Sequence, residues 1–257
     1  MIWLVLAESA LELVPETIKN HPSVVSDIHR KNTIITKLLL DTNYHHSAMA
    51  TLENAEQRGR PDIVHFCMLS AMNTPLNTLF GALRVAIHIK YPSERIIIVD
   101  PKTRIPRSLN RFEGLMATVL GTSKVPDAEA PGFFTTEDIA LEKFLDNLDP
   151  VQVHVFSTTG TQGSFDQYLP GIGEEAMSEK NNIVLLIGGF QAGHFSGKWL
   201  SRVPKDHVHS IAPIPLDAWT VVARLVFMIE KATMAAFKNP RCNLQTNNHE
   251  INDPGRG

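Results

Sequence analysis

The sequence predicts an α/β fold built on a parallel sheet with flanking helices. Short apolar runs at 2–7 and 183–187 have the length of buried strands. Helical or loop segments separate the later runs, and strands joined in that way form parallel pairs through crossovers. The 257 residues, 43% hydrophobic and 20% charged, have the composition of a globular protein.

Composition excludes several classes of protein. No apolar run approaches the roughly 20 residues that a membrane-spanning helix needs. The first residues lack a basic region and soon reach Glu8, so a buried strand is predicted there instead of a signal peptide. Cys67 and Cys242 are too few for a disulfide framework or a cysteine-based zinc site, which predicts reduced thiols in a cytoplasmic protein. The histidines lack metal-ligand spacing, so no metal is expected.

The elements of the first half follow from periodicity and from the position of proline. Strands are predicted at 2–7 and 36–41, an antiparallel strand pair at 83–89 and 95–100, and helices at 45–56, 58–73 and 106–120. Pro61 and Pro106 are placed at helix starts, where proline costs no hydrogen bond. The apolar face of helix 58–73 is expected at Ile63, Phe66, Cys67 and Ser70. The buried side of helix 106–120 is expected at Leu109, Phe112, Leu115, Met116 and Val119.

The second half alternates more regularly. Residues 121–134 are rich in Pro, Gly and small side chains, which predicts a linker or long loop. Thr135 and Asp138 resemble a capping box for a helix over 135–148. Strands are then predicted at 152–156, 183–187 and 207–211, and a helix from about 216 to 237. The polar tail, 239–257, is predicted to be disordered.

Three loops follow the later strands, at 157–163, 187–197 and 211–221. In α/β sheets ligands bind outside the carboxyl ends of strands. Glycines in the second loop allow close backbone approach to a nucleoside-containing cofactor, although they equally suit plain turns. The G-x-G-x-x-G fingerprint of a dinucleotide fold and the phosphate-binding P-loop motif are both missing, so use of NAD or ATP is unsupported.

Cations are concentrated in one stretch of a chain whose formal charge is −3. Between Arg84 and Arg111 there are seven Lys and Arg residues against two acids. The helix predicted at 106–120 would place Arg107 and Arg111 one turn apart on one outward face. A solvated helix face explains this pattern, and so does a surface that grips phosphates and splayed bases.

Five motifs carry a family resemblance: LLLDTNYHHSAM (38–49), RGRPDIVHFCMLSAMNTPLN (58–77), VDPKTRIPRSLNRFEGLM (99–116), LLIGGFQAG (185–193) and PLDAWTVVA (215–223). In this order they resemble the pseudouridine-N(1)-specific small-subunit rRNA methyltransferases of ribosome biogenesis, a branch of the SPOUT superfamily, and the chain looks like an archaeal-type member. The resemblance implies a trefoil-knotted sheet, S-adenosylmethionine (SAM), a homodimer and a small-subunit (16S) rRNA hairpin as substrate. It makes 1–238 one SPOUT-like domain, in which 41–134 contribute an α/β RNA-binding extension.

The resemblance also implies site residues. Arg60, Arg104, Arg107 and Arg111 would bind RNA, and Asp62 and Arg60 would be catalytic. Asp62 would either accept the proton of the pyrimidine nitrogen or form an ion pair with Arg60 or Arg58. Asp217 is expected to cap the last helix. The cofactor would be bound by Thr159, Gly160, Ile187, Gly188, Gly189, Gly193, Ile211, Pro215, Leu216 and Ala218.

Two other functions remain to be weighed. An rRNA-binding assembly factor, with methylation secondary or lost, would use the same arginines. It would not need intact cofactor loops, and all three loops are present here. An oxidoreductase on a dinucleotide-binding sheet is disfavoured because its fingerprint is missing.

Overall fold

The sheet runs through the centre of the molecule. The computed structural model describes residues 1–121, 124–125, 133–149, 151–176, 178 and 181–237. Its strands are β1 (Ile2–Ser9), β2 (Leu83–Ile89), β3 (Arg95–Val99), β4 (Lys124–Val125), β5 (Phe134–Glu137), β6 (Val151–Gln162), β7 (Asn182–Gly188) and β8 (Val208–Ser210). They form one sheet in the order β4-β5-β3-β2-β1-β7-β6-β8. Neighbours from β2 to β8 in that order are parallel, which confirms the predicted parallel sheet, whereas β3, β4 and β5 pair antiparallel.

Helices cover both faces of this sheet. They are α1 (Pro22–Lys31), α2 (Thr42–Met49), α3 (Pro61–Met72), α4 (Pro75–Thr78), α5 (Leu109–Gly121), α6 (Leu141–Asn147), α7 (Phe165–Tyr168), α8 (Ile172–Ala176) and α9 (Ala218–Phe237). Helices α3, α5, α8 and α9 pack over Leu4 and Leu6 of β1, and α6 packs over Trp3 and Val5 on the opposite face. Because both faces are covered, β1 reads as an unbroken apolar run.

The strand predicted at 36–41 is wrong. The structure has a short 3-10 turn at Ile35–Lys37 and then one isolated antiparallel bridge between Leu13 and Leu39. Leu38 and Leu40 point into a separate small core beneath α1 and α2, while Leu39 joins the main core. Residues 38–40 are therefore apolar because they contribute to two hydrophobic cores, not because they form a strand of the sheet.

The helix predicted from Pro106 begins three residues later, at Leu109. Its first turn is closed by the Phe112 N–H, which donates to the Ser108 carbonyl at 3.0 Å. The Pro106 carbonyl instead lies 2.6 Å from the His65 Nε2 atom. Arg107 is thus in the preceding loop and does not share a helix face with Arg111, contrary to the prediction.

Two further details of the predicted helices are corrected. Phe66 is 42% exposed, because α3 buries Ile63, Val64 and Cys67 between its neighbours and leaves Phe66 against Trp219 at the surface. The predicted capping box at 135–148 does not form. Thr135 lies in β5, and α6 follows Ala140, which supplies no side-chain cap.

Several other predicted elements are confirmed, and some lie outside the described residues. The antiparallel pair β2–β3, the strands β7 and β8 and the helix α9 are confirmed. Most of the predicted loop at 121–134 and the tail at 239–257 lie outside the described residues. The division into one domain with an extension at 41–134 stays a prediction. Within the part of the chain that the structure describes, no helix is long and apolar enough to cross a membrane.

Candidate functional site

A cavity of about 380 Å³ lies at the carboxyl ends of β6, β7 and β8. Parts of all three loops predicted from the sequence meet there. Seven of the predicted cofactor residues line it: Ile187, Gly188, Gly193, Ile211, Pro215, Leu216 and Ala218. The volume falls within the range of small-molecule sites, and the position is the one that α/β sheets use for ligands.

The backbone around the cavity is irregular. Residues 190–193 and 211–214 form bends outside helix and strand ladders, so amide and carbonyl groups there can face a ligand. Gly193 adopts φ +100°, and a Cβ at that position would lie 2.7 Å from the Gln57 Nε2 atom. Only glycine fits this combination of conformation and space.

The three other predicted cofactor residues are not part of the cavity lining. Gly160 lies against β8, where a Cβ would come within 2.3 Å of the His209 carbonyl carbon. Gly189 lies against Ser9, and a Cβ there would come within 2.3 Å of the hydroxyl. Thr159 is exposed and its N–H donates to the Ser157 hydroxyl at 3.3 Å. The glycines allow close chain approach, and a role for these three in cofactor binding stays a prediction.

Strand β6 borders β8 twice. Phe156 pairs with His209 before an irregularity in register, and Thr161 pairs with the same His209 after it. Between these two pairings the register is irregular, and the 157–160 segment passes close to His209 of β8, the last strand in the sheet order. Gly160 is the residue that makes this close passage possible.

Arg60 and Asp62 form a bidentate ion pair beside the cavity. The Arg60 Nε and Nη2 atoms donate to the two carboxylate oxygens at 2.8 and 2.7 Å. The third guanidinium nitrogen of Arg60, Nη1, donates to the side-chain oxygen of Gln191, a cavity residue that sequence reasoning passed over. The Asp62 hydrogen bonds raise the pKa of Arg60, and the charges of Asp41 and Asp217 act in the same direction.

The predicted RNA-binding arginines lead to a second, cationic cleft of about 910 Å³. Arg104 and Arg107 line it together with Arg84 and Lys102, whereas Arg111 lies on α5 outside its lining. Asn77 donates to the Pro101 carbonyl at 2.8 Å and Thr103 donates to the Phe133 carbonyl at 3.0 Å, which fixes the loop that bears the cations. Arg84 and Lys102 were counted among the clustered cations but not predicted as site residues.

Comparison with known proteins gives the family. A family model described as EMG1/NEP1 methyltransferase matches residues 4–230. The chain belongs to this family. It is therefore a methyltransferase by descent, and the resemblance carried by its motifs is confirmed.

Relatives of this EMG1/NEP1 chain match over nearly their whole length. The ribosomal RNA small subunit methyltransferase Nep1 of Thermococcus onnurineus is 36% identical over 90% of this chain and 98% of its own. The protein of the same name from Pyrobaculum neutrophilum is 37% identical over 88% and 96%. Among solved structures, Archaeoglobus fulgidus Nep1 bound to S-adenosylhomocysteine matches with a TM-score of 0.75 and 30% identity, covering 90% of this chain and 98% of that chain.

This EMG1/NEP1 chain also has a buried histidine cluster behind its cavity. The His154 Nδ1 and His209 Nε2 atoms are 2.9 Å apart, and the His154 ring stacks on His207 with centroids 4.4 Å apart. Burial, reinforced by the two neighbouring imidazoles, lowers the pKa of His154 to about 3. Burial also lowers the pKa of His209, which lines the cavity. The rings stack instead of converging, and the described residues contain no group arranged to hold a metal ion.

A third cavity, of about 860 Å³, is not part of this site. Its wall is mostly apolar and includes Leu13, Ile35, Tyr91 and Leu120. None of the residues predicted to bind cofactor or RNA lines it.

Proposed function

We propose that this chain is a SAM-dependent rRNA methyltransferase that methylates N(1) of a pseudouridine in a small-subunit (16S) rRNA hairpin and acts in small ribosomal subunit biogenesis. The observation that carries the proposal is the adjacency of two sites. A neutral cavity at the strand ends contacts, through Gln191, the arginine of an Arg60–Asp62 pair. Family membership, the relatives' names and the S-adenosylhomocysteine in the matched structure support the same reading.

The cavity residues fit the cofactor. Ile187, Ile211 and Leu216 supply apolar walls for an adenine ring, and the bent backbone segments supply polar groups for specificity. The cofactor itself brings a methyl group on a sulfonium, which is already a good leaving group. The protein's task is then to hold the pyrimidine nitrogen in line with it and to exclude competing positions.

The cationic cleft fits the RNA. Arg84, Lys102, Arg104 and Arg107 present four positive charges in one concave surface, and Arg111 lies nearby in sequence on α5. Guanidinium groups bind phosphates bidentately and stack on bases. Sequence-specific RNA recognition targets unpaired loops, such as the loop of a hairpin, whose bases are free for such contacts. We assign Arg84 and Lys102 to the RNA surface together with the four predicted arginines.

The geometry favours a positioning role for Asp62. Both of its oxygens accept hydrogen bonds from Arg60, and the two side chains are only 21% and 17% exposed. A carboxylate held in this way orients the guanidinium toward the substrate. Proton acceptance from the pyrimidine, through water, is the alternative role that a substitution tests below.

The trefoil knot is also part of the proposal. Family membership supports it, because the resemblance carried by the motifs implies a knotted sheet. A cytoplasmic location is proposed because rRNA is the substrate. A single domain over 1–238 is proposed as well, because β2, β3 and β4 of the 41–134 extension belong to the same sheet as β1.

A homodimer is proposed from exposed apolar side chains near the cavity. Ile214 is 63% exposed, Phe227 on α9 is 61% exposed, and Phe66 is 42% exposed. Large apolar groups clustered at a surface mark interaction sites. Light scattering after gel filtration should give twice the chain mass, and Phe227→Glu should shift it toward the monomer; a monomeric wild-type chain would contradict the proposal.

The decisive experiment is methyl transfer from labelled SAM to one short hairpin made with uridine or with pseudouridine at a loop position. Label in the pseudouridine hairpin alone is the expected result. Tight binding of both hairpins without labelling of either would favour the assembly-factor function, provided that a SAM titration also shows no binding. Equal labelling of both would retain the methyltransferase and remove its base specificity.

A further inference from the structure

The carboxylate of Glu8 is buried where β1 ends, beside the loop that follows β7. Glu8 is 3% exposed and has φ +51°, a left-handed conformation that residues other than glycine rarely adopt. Conformations of this kind persist only where the surroundings determine them, and they are frequent at functional sites. Neither the buried charge nor the backbone conformation is explained by the strand itself.

The Glu8 side chain binds two consecutive residues of that loop. The Ser196 hydroxyl donates to one carboxylate oxygen at 2.6 Å, and the Gly197 N–H donates to the other at 2.9 Å. The Ser196 N–H lies 2.9 and 3.1 Å from the two oxygens. Lys90 lies 3.8 Å away, and it also donates to the Ser196 hydroxyl. The buried charge is therefore satisfied almost entirely by the loop.

The backbone of Glu8 is anchored independently. Its N–H donates to the His88 Nδ1 atom at 3.1 Å, so the His88 proton resides on Nε2. His88 belongs to β2, the neighbour of β1 in the sheet. The left-handed turn that aims the carboxylate at the loop is thus fixed by the sheet and not by the loop that it holds.

The other end of the loop is attached to the same segment. The Gly189 N–H donates to the Ala7 carbonyl and the Ala10 N–H donates to the Gly189 carbonyl, both at 2.9 Å. Between these attachments and those at Ser196 and Gly197 lie residues 190–195, all of which line the cavity. Glu8 itself is not in the lining, so any effect on a ligand passes through the loop.

We infer that Glu8 is a positioning residue for cofactor binding, whose carboxylate holds Ser196 and Gly197 so that residues 190–195 are shaped for SAM before it binds. This inference rests on the proposed function, because it requires the cavity to be the cofactor site. A loop already held in its bound shape loses less conformational freedom on binding, which increases affinity. The expected effect is on cofactor affinity, because the hydrogen-bond partners of Glu8 are Ser196, Gly197 and His88, none of which lines the cationic cleft.

The test compares Glu8→Gln with Glu12→Gln in the full chain. Glu12 is equally buried, at 3% exposure, and its carboxylate binds Arg58 at 2.7 and 2.6 Å outside the loop. Glu8→Gln should raise the Kd and the KM for SAM roughly tenfold or more, because a hydrogen-bonded charge is lost. The kcat at saturating SAM and the hairpin Kd should stay within about twofold of wild type. Glu12→Gln should lower the Tm and leave the SAM affinity unchanged.

A second comparison separates the carboxylate from the backbone turn. Glycine accepts the left-handed conformation, so Glu8→Gly should keep a higher Tm than Glu8→Ala while losing as much SAM affinity as Glu8→Gln. If the Glu8 variants fail to fold, Ser196→Ala removes one donor to the carboxylate and should raise the Kd for SAM about threefold.

Unchanged SAM affinity in folded Glu8 variants, or in Ser196→Ala where those do not fold, would overturn the inference. So would an equal loss in Glu12→Gln, since that would indicate general loosening of the fold.

If the wild-type chain does not bind SAM, the proposed function and this inference both fail. If the wild type binds SAM, but no more tightly than Glu8→Gln does, only the inference fails.

Discussion

The two halves of the site are built on opposite principles. The proposed cofactor cavity is formed by backbone and apolar side chains at the ends of β6, β7 and β8, and its shape depends on close chain packing around glycines. The cationic cleft, proposed to bind RNA, is formed by long charged side chains on a loop and its neighbours, and the proposed function depends on their charge. One added methyl group can therefore disrupt the shape of the first region, whereas the second region weakens only as its charged groups are removed one by one.

The largest effect should come from adding a methyl group at the crossing of β6 and β8. Gly160→Ala would place a Cβ within 2.6 Å of the backbone N, C and O atoms of His209, which cannot move aside. The free energy of unfolding should fall by about 3 kcal/mol, with SAM binding lost or strongly weakened. Thermal unfolding and SAM titration would measure both.

The matched control for that variant is Gly114 on α5, which does not line the cavity. Gly114 has open space where its Cβ would stand, so Gly114→Ala should be neutral or stabilising by up to about 1 kcal/mol. Comparable losses from both substitutions would show that the close packing around Gly160 is not the cause.

Removing two charges from the cleft should produce the next largest effect. Arg104→Ala combined with Arg107→Ala should weaken hairpin binding by roughly tenfold to a hundredfold and reduce its salt slope by about 1.5–2, because two phosphate contacts are lost. SAM affinity should not change. Lys143→Ala, on α6 at the opposite face of the sheet, is the control and should leave hairpin binding unchanged. A parallel loss of SAM affinity in the double variant would show that the two regions are not separable.

Asp62→Asn acts at the junction of the two regions and should have an intermediate effect. If Asp62 handles the proton, turnover of bound RNA should fall about tenfold or more while hairpin affinity changes little. If it only orients Arg60, hairpin affinity should fall and turnover of bound RNA should hold. Single-turnover rates at saturating RNA distinguish these outcomes. Asp146→Asn, which breaks the exposed Asp146–Arg202 pair on α6, should alter neither quantity.

The smallest effect is a pH dependence of stability that arises from buried histidines. Burial lowers the pKa of His154 to about 3 and that of His88 to about 4, so the unfolded chain binds more protons than the folded chain between those values and about 6.5. Stability is therefore fully present above about pH 6.5 and is lost as the pH falls below it. His154→Asn should flatten the decline in Tm between pH 7 and pH 5. His29→Asn, at an exposed position, should not.

The same contrast explains what the sequence could and could not predict. The arginines could be recognised because phosphate binding depends on the charge of the side chain itself. The three loops could be recognised because they follow apolar strands. The strand at 36–41 failed because Leu38 and Leu40 serve a second core that only packing reveals. The helix start at Pro106 failed because its carbonyl is bound by His65, which lies 41 residues earlier in the chain.

Other features of the site were beyond sequence reasoning for a physical reason. The hydrogen bonds from Ser196 and Gly197 to the Glu8 carboxylate depend on the left-handed backbone conformation of Glu8 near the end of β1. A left-handed glutamate has no sequence signature. The second pairing of β6 with His209, after the irregularity in register, depends on the path of the chain in three dimensions, and periodicity reports only local conformation. Gln191 carried no signal because its partner, Arg60, lies 131 residues away.

The hydrogen bond between Arg60 and Gln191 couples the two regions energetically as well as structurally. An RNA that takes up Arg60 changes what Gln191 can offer on the cavity wall, and a cofactor that takes up Gln191 changes the freedom of Arg60. Thermodynamic linkage requires the two influences to be equal in size and sign. A substrate that promotes cofactor binding must in turn be bound more tightly by the loaded enzyme.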